Sequence, residues 1–222
     1  MSEKRRARRR GRLKTAFLRA VALVFEYRRS YLVLNGVYYG LVAAGMVYAV
    51  VNPQVQQWLS EQVKVGLKGP LAPVAEAYAS GVLPAIAMTF AVNLLAGSFG
   101  SITLPSLVIP YSGMLIAAFR AVMWGLIFAP QTLEIDATLA ARGSLIALLI
   151  LLEGQGYVLT MLAAHMQGKA FLSPAGVLAS SRWQGYRIGV RLSLRLYVLV
   201  AVALAVAAIY ESIIVVLILP RL

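Results

Sequence analysis

The sequence lacks cysteine altogether and contains a single histidine, His165, among its 222 residues. The absence of cysteine excludes disulfides, thiolate metal sites and cysteine nucleophiles. A single histidine also excludes most metal sites and most histidine-based catalytic schemes, because these need several ligands or a base with partners. We therefore expect no catalytic residues, no bound metal and no cofactor, and the sequence predicts a protein that is not an enzyme.

Charged residues are also scarce, at 13% of the chain, against about 25% in typical soluble proteins. Hydrophobic residues make up 60% of the chain, well above the usual share of about 45–50%. The chain has 21 lysines and arginines but only eight acidic residues, which gives a formal net charge of +13. This composition argues against an ordinary soluble domain and predicts a basic integral membrane protein.

Basic residues are concentrated at the N-terminus, where eleven of the 21 fall within residues 1–29. We expect residues 1–12 to form a basic cytoplasmic tail and residues 13–29 an amphipathic helix lying on the membrane surface. Apolar side chains recur there at three- or four-residue spacing, beginning with Leu13 and Phe17, as in interfacial helices. A nucleic-acid arm is not expected, because no recognition motif follows. The side chains predicted to contact anionic lipid headgroups are Arg5, Arg6, Arg8, Arg9, Arg10, Arg28 and Arg29.

Five stretches reach the roughly 20 mostly apolar residues that a membrane-spanning helix needs. They are residues 31–51, 82–103, 107–130, 143–166 and 196–219. Residues 30–222 are therefore expected to form one membrane domain. The predicted fold class is all-α: a polytopic integral membrane bundle of five transmembrane helices, preceded by an interfacial amphipathic helix.

The distribution of basic residues predicts the orientation of this bundle. With the N-terminus inside, the inner segments hold sixteen basic residues and the outer segments hold four. Cytoplasmic loops of membrane proteins carry such an excess of lysine and arginine. We therefore expect a multi-pass protein of the cell (inner) membrane, with a cytoplasmic N-terminus and a C-terminus outside.

Several polar side chains fall inside the predicted spans, where each central charge costs about 2.5–3.5 kcal/mol. At a rise of about 1.5 Å per residue, four of them lie roughly 12–16 Å from the outer ends of their spans. In a structural interpretation, Arg120 pairs directly with one glutamate and fixes the helix register. In the alternative interpretation, these four side chains form a proton or ion relay, although no series of polar side chains continues from them to the inner surface. This predicted buried polar layer consists of Asn93, Arg120, Glu153 and Glu211.

Small residues at four-residue spacing predict close helix packing, because they let the backbones of two membrane helices approach. One such stripe lies on the first span and another on the second, and a further glycine adjoins Glu153. The glycines predicted to pack against other helices are Gly36, Gly40, Gly97, Gly100 and Gly154.

The central part of the chain, roughly residues 84–168, resembles the stage II sporulation protein M family. The resemblance is carried by Phe90-Ala-Val-Asn93, by the glycines that follow up to Gly113, and by Glu153 with the small residues of 163–168. Two family features differ: a Ser-Gly pair stands for the usual Asn-Gly, and a Pro-His-Gly stretch before the glutamate is absent.

The resemblance implies a non-enzymatic integral membrane protein that acts as a scaffold or assembly subunit of a membrane complex. A second class is a small permease subunit of a transporter energised by a separate cytoplasmic ATPase, with residues 176–195 as a cytoplasmic coupling helix. Expected partners are membrane lipids, through anionic headgroups on the cytoplasmic side, and other membrane or cytoplasmic proteins. Assembly with copies of the chain stays open, and no nucleic acid is expected.

Overall fold

The computed structural model describes residues 3–130 and 137–221, and every element within these ranges is helical. The α-helices are α1 (Glu3–Glu26), α2 (Arg28–Val51), α3 (Pro53–Lys68), α4 (Ala72–Ala79), α5 (Val82–Ala91), α6 (Leu104–Val108), α7 (Ser112–Phe128), α8 (Ala137–Leu172) and α9 (Arg182–Ile213). Two π-helical segments, Val92–Thr103 and Ile214–Ile218, and two 3₁₀ turns, Pro174–Val177 and Leu219–Arg221, complete them.

Four helices in the described part of the chain are long and apolar enough to cross a membrane. They are Arg28–Val51, Val82–Val108, Thr138–Leu172 and Arg182–Arg221. The second is continuous because the π segment Val92–Thr103 joins α5 to α6. The predicted all-helical fold with several helices of spanning length is confirmed.

The third predicted span, residues 107–130, is shorter in the structure than the sequence indicated. Its counterpart α7 has 17 residues. The chain turns between α6 and α7, where Tyr111 adopts a left-handed conformation with φ of 68°. Leu107 therefore belongs to the preceding helix, and α7 starts at Ser112.

The N-terminal helix is longer than the predicted interfacial segment, since α1 already begins at Glu3. A turn at Tyr27 separates α1 from α2. Ala20 and Leu23 are buried, and α1 packs along α9. Phe17 on the same helix remains 40% exposed, so α1 has one face on the bundle and leaves apolar surface uncovered.

Helices α8 and α9 pack along each other in antiparallel directions and form the centre of the bundle. The Ser193 hydroxyl of α9 donates to the Ala163 carbonyl oxygen of α8 at 2.7 Å. Farther along, the Tyr210 hydroxyl donates to the Leu145 carbonyl oxygen at 3.0 Å. The core residues of α8 between these contacts are almost completely buried.

Residues 176–195 do not form a separate coupling helix. Helix α9 starts at Arg182 and continues without a break into the last predicted span. Ser181 caps it, because its hydroxyl oxygen accepts a hydrogen bond from the Gln184 backbone N–H at 3.2 Å. Four arginines are exposed along the first turns of α9: Arg182, Arg187, Arg191 and Arg195.

Helices α2 and α7 approach closely at a pair of glycines, Gly45 and Gly125. A Cβ atom at Gly45 would lie 2.5 Å from the Val122 carbonyl oxygen, too close for any side chain. The predicted packing glycines Gly36 and Gly40 are exposed, and no described atom of another element lies within 4 Å of a Cβ built there. The contact within the chain is therefore made by Gly45, on a different face of α2.

We predict that Gly45→Ala destabilises the bundle by about 1–3 kcal/mol, because a methyl group would push α2 away from α7. The matched change Gly36→Ala should be neutral or slightly stabilising, since it fills open space and alanine favours a helix more than glycine. The free energy of unfolding of the purified protein in detergent measures both effects. Equal stability of the two variants would contradict the close approach at Gly45.

Candidate functional site

The four residues of the predicted polar layer meet at one place in the structure. Asn93, Arg120, Glu153 and Glu211 all line a single cavity of about 180 Å³. They come from the π segment, α7, α8 and α9, so four elements that are distant in sequence contribute one side chain each. The similar depths calculated from the sequence therefore correspond to a common site.

A tyrosine connects three of these residues. Arg120 Nη2 donates to the Tyr157 hydroxyl at 2.8 Å, and that hydroxyl donates to Glu153 Oε1 at 2.9 Å. The Tyr157 hydroxyl oxygen also lies 3.2 Å from Asn93 Oδ1. The guanidinium carbon of Arg120 also lies 4.5 Å from the centre of the Tyr157 ring, within the range of a cation–π interaction. The phenol thus bridges the cation and the carboxylate.

The predicted direct ion pair of Arg120 is wrong. Among the described residues, the one ion pair within 4.0 Å joins Lys64 to Glu61, at 2.7 Å on the exposed surface. Tyr157 follows Glu153 by one helical turn on α8, and side chains four residues apart share a helix face. The phenol therefore occupies the space between the two charges.

Glu211 belongs to a second hydrogen-bonded group at the same cavity. The Tyr78 hydroxyl of α4 donates to Glu211 Oε1 at 2.8 Å and lies 2.8 Å from Thr89 Oγ1. Burial and then the nearby Glu211 carboxylate raise the pKa of Tyr78, so the phenol keeps its proton and remains a donor. This contact anchors α4 to α5 and α9.

The cavity wall beside Arg120 depends on a glycine in the π segment. A Cβ atom at Gly97 would lie 2.9 Å from the Tyr157 hydroxyl. Arg120 Nη1 reaches the Gly97 carbonyl oxygen at 3.5 Å and Ser101 Oγ at 3.3 Å, and Ser101 in turn donates to that carbonyl. A side chain at Gly97 would separate the π segment from α8 and displace the arginine.

The other predicted glycines differ in their surroundings. A Cβ atom at Gly154 would lie 2.7 Å from the Tyr39 hydroxyl, so this glycine lies at the interface of α8 with α2. A Cβ atom at Gly100 would approach the Leu95 carbonyl oxygen of its own helix, at 3.1 Å. Gly154 therefore makes a contact between helices, whereas the described neighbour of Gly100 is local.

A second polar network joins α2 to α8 without charged residues. The Tyr31 hydroxyl donates to Gln155 Oε1 at 2.5 Å, and Gln155 Nε2 donates to Asn35 Oδ1 at 2.7 Å. The same nitrogen lies 2.9 Å from the Tyr39 hydroxyl, which donates to the Leu151 carbonyl oxygen. These hydrogen bonds satisfy Gln155 within an otherwise apolar interface.

Neither Arg28 nor Arg29, two of the predicted lipid-contact arginines, lines this cavity. Arg28 and Arg29 are exposed at the start of α2. The side chains of Arg5, Arg6, Arg8, Arg9 and Arg10 lie outside those that the structure describes.

Four apolar helices of spanning length in the described part of the chain indicate a helical membrane protein. The chain matches no family model, no curated protein and no solved structure. The resemblance to the stage II sporulation protein M family therefore rests on the sequence motifs alone.

We predict that Tyr157→Phe lowers the free energy of unfolding in detergent by about 1–3 kcal/mol, because it leaves Arg120 and Glu153 without their common partner. Tyr38 provides a matched control. Its ring centre lies 6.5 Å from that of Tyr157, and its buried hydroxyl has no hydrogen-bond partner in the described part of the chain. Tyr38→Phe should be neutral or stabilising. A Tyr157→Phe protein as stable as the wild type would show that the bridge contributes nothing.

Proposed function

We propose that the chain is a non-enzymatic membrane protein with five spans that acts as an assembly subunit of a membrane complex, as its resemblance to the stage II sporulation protein M family implies. The proposed location is the cell membrane, with the N-terminus in the cytoplasm and the C-terminus outside. Two groups of observations support this proposal: the arrangement of the helix ends, and an uncovered face of α2.

Contacts between helix ends support five crossings. At one end of the bundle, Ser30 Oγ lies 3.2 Å from His165 Nε2, and the Tyr111 ring lies 6.0 Å from the His165 ring. At the other end, Gln56 Nε2 donates to the Ala129 carbonyl oxygen at 2.6 Å. The start of α2 thus lies beside the turn before α7, and the residues after α2 lie beside those after α7.

The length of α7 is compatible with a crossing. Its 17 residues are at the lower limit for a transmembrane helix and extend about 26 Å. Its neighbours α2 and α8 are longer, and α7 packs against both. We therefore include α7 as the third of the five spans.

The observation that carries the assembly role is the uncovered small-residue face of α2. Gly36, Gly40 and Ala44 are spaced four residues apart, and all three are exposed. Such spacing allows another membrane helix to approach closely. Because α2 contacts α7 through Gly45 on another face, this face is available to a helix from another protein or from a copy of the chain.

Contacts with the lipid surface would hold the N-terminal helix in place. Each basic residue near an anionic leaflet contributes about 1 kcal/mol of attraction. The exposed Phe17 and Phe25 of α1 supply apolar surface that suits the boundary between headgroups and acyl chains. We propose that α1 lies on the cytoplasmic leaflet while its buried face packs on α9.

One observation favours the second candidate, a permease subunit. The polar residues line a cavity of about 180 Å³, which is large enough to hold more than one water molecule. A hydrated site of this kind suits the passage of a proton or small ion. An ATPase among copurifying proteins would favour this function over a purely structural assembly role.

We predict that a cysteine at Ser180 is shielded from an impermeant thiol reagent in intact cells, whereas a cysteine at Gln57 is labelled. Both positions are exposed, and the chain has no other cysteine. The reason is the excess of basic residues on the Ser180 side of the bundle. Labelling after permeabilisation controls for reactivity, and the reverse pattern would show that the orientation is inverted.

We predict that Gly36→Leu combined with Gly40→Leu dissociates the native complex but leaves the chain folded. The leucines would block a second helix, and no contact within the described chain depends on either glycine. Val202→Leu with Val206→Leu is the matched control, because these two valines are also four residues apart and 47% exposed, but lie on α9. Complex size in native gels and cross-linking in membranes measure assembly. A complex of unchanged size in the glycine variant would argue against this face.

A further inference from the structure

A second cavity, of about 510 Å³, lies where α1 ends and α2 begins. Arg28 and Arg29 from the start of α2 line it together with Lys169 from the end of α8, and Glu26 contributes one carboxylate. Ser30 and Ser173 also line the cavity. We refer to this site as the basic cavity.

The basic cavity carries an excess of two positive charges. None of its three cations pairs with Glu26 within 4.0 Å, since the one ion pair among the described residues is elsewhere, between Lys64 and Glu61. The Lys169 ammonium lies 5.8 Å from the centre of the Tyr27 ring, which also lines the cavity. The ring therefore positions one cation by a cation–π interaction and leaves its N–H donors available.

The cations converge because of the fold, not because they are adjacent in sequence. The turn at Tyr27 interrupts the helix just before Arg28 and Arg29. Lys169 comes from α8, about 140 positions later in the chain, and reaches the same cavity. A solvated charge run on one helix would not bring together side chains from two elements.

Two arginines and one lysine, together with the Ser173 hydroxyl, form a donor set that suits a phosphate group. Arginine offers paired N–H donors that match phosphate oxygens, and lysine adds a compact positive charge. The Glu26 carboxylate in the cavity lining can accept hydrogen bonds, so it suits a hydroxyl or ammonium group next to the phosphate. We propose that the basic cavity binds a phosphate group, carried either by an anionic lipid headgroup or by a soluble phosphorylated molecule.

This site does not depend on the proposed assembly role. A lipid as the source rests on the proposed membrane placement, because the cavity then lies at the level of the cytoplasmic headgroups. The cysteine-labelling experiment tests that placement separately, so failure of one proposal can be distinguished from failure of the other.

The test uses the full chain purified in a neutral detergent, with binding measured by isothermal titration calorimetry. One arm titrates short-chain phosphatidylglycerol, with short-chain phosphatidylcholine as the neutral reference, and the other titrates inorganic phosphate. The site variant carries Arg28→Gln, Arg29→Gln and Lys169→Gln. The control carries Arg187→Gln, Arg191→Gln and Arg195→Gln, which removes the same charge from an exposed face of α9.

We expect wild-type and control proteins to bind the anionic ligand, and the site variant to lose about five-fold in affinity for each charge removed. Binding of phosphatidylglycerol but not inorganic phosphate assigns the site to a lipid, and binding of phosphate assigns it to a soluble ligand. The single change Lys169→Gln provides the same comparison if the triple variant does not fold. Equal losses in site and control variants, or no binding by the wild type in either arm, would overturn the proposal.

Discussion

The cost of placing charge in an apolar environment is the constraint on which the rest of this structure depends. Arg120, Glu153 and Glu211 lie on helices of strongly apolar sequence, and none of them touches an opposite charge. Each instead meets a tyrosine: Tyr157 for the first two and Tyr78 for the third. Because a buried polar group without a partner is penalised, these hydrogen bonds set which helices must meet and at what height.

This constraint explains why the helix contacts around the cavity are so close. Gly97 has no side chain where the Tyr157 hydroxyl lies, so the π segment can approach α8. On another face of α8, Gly154 likewise has no side chain where the Tyr39 hydroxyl lies, so α2 can approach α8. Polar partners reach across an interface only where the backbones are near, and glycine permits that distance.

Much of the fold follows from the length and apolar character of its segments. The sequence indicated helices of spanning length because about 20 apolar residues have few other stable conformations in a bilayer. The positions at which these helices begin and end were predicted less accurately. Helix α9 continues through Arg187 and Arg195 because arginines are good helix formers and an α-helix need not stop where polarity changes. The turn at Tyr111 depends on a left-handed backbone conformation, and Pro110 directly before it was the available turn signal.

The candidate site was predictable in its charged members but not in its tyrosines. Depth along a helix follows from residue spacing, so Arg120 and Glu153 could be placed in one layer. Whether two charges touch depends on the side chains between them. The four-residue spacing from Glu153 to Tyr157 was the available signal. Tyr78 lies on α4, in a segment too polar to span, so its contact with Glu211 required the three-dimensional structure.

The length of the α8–α9 pair has a mechanical consequence. Helix α8 has 36 residues, which extend about 54 Å, whereas the hydrocarbon layer is about 30 Å thick. The surplus is not loose, because Gly185 of α9 packs directly against Ala170 near the end of α8. In the proposed placement Lys169 lies at the level of the cytoplasmic headgroups, so α8 ends close to the membrane surface, and its surplus length is accommodated by tilting. Because hydrogen bonds join α8 and α9 near both ends of their contact, the two helices would tilt together as one lever.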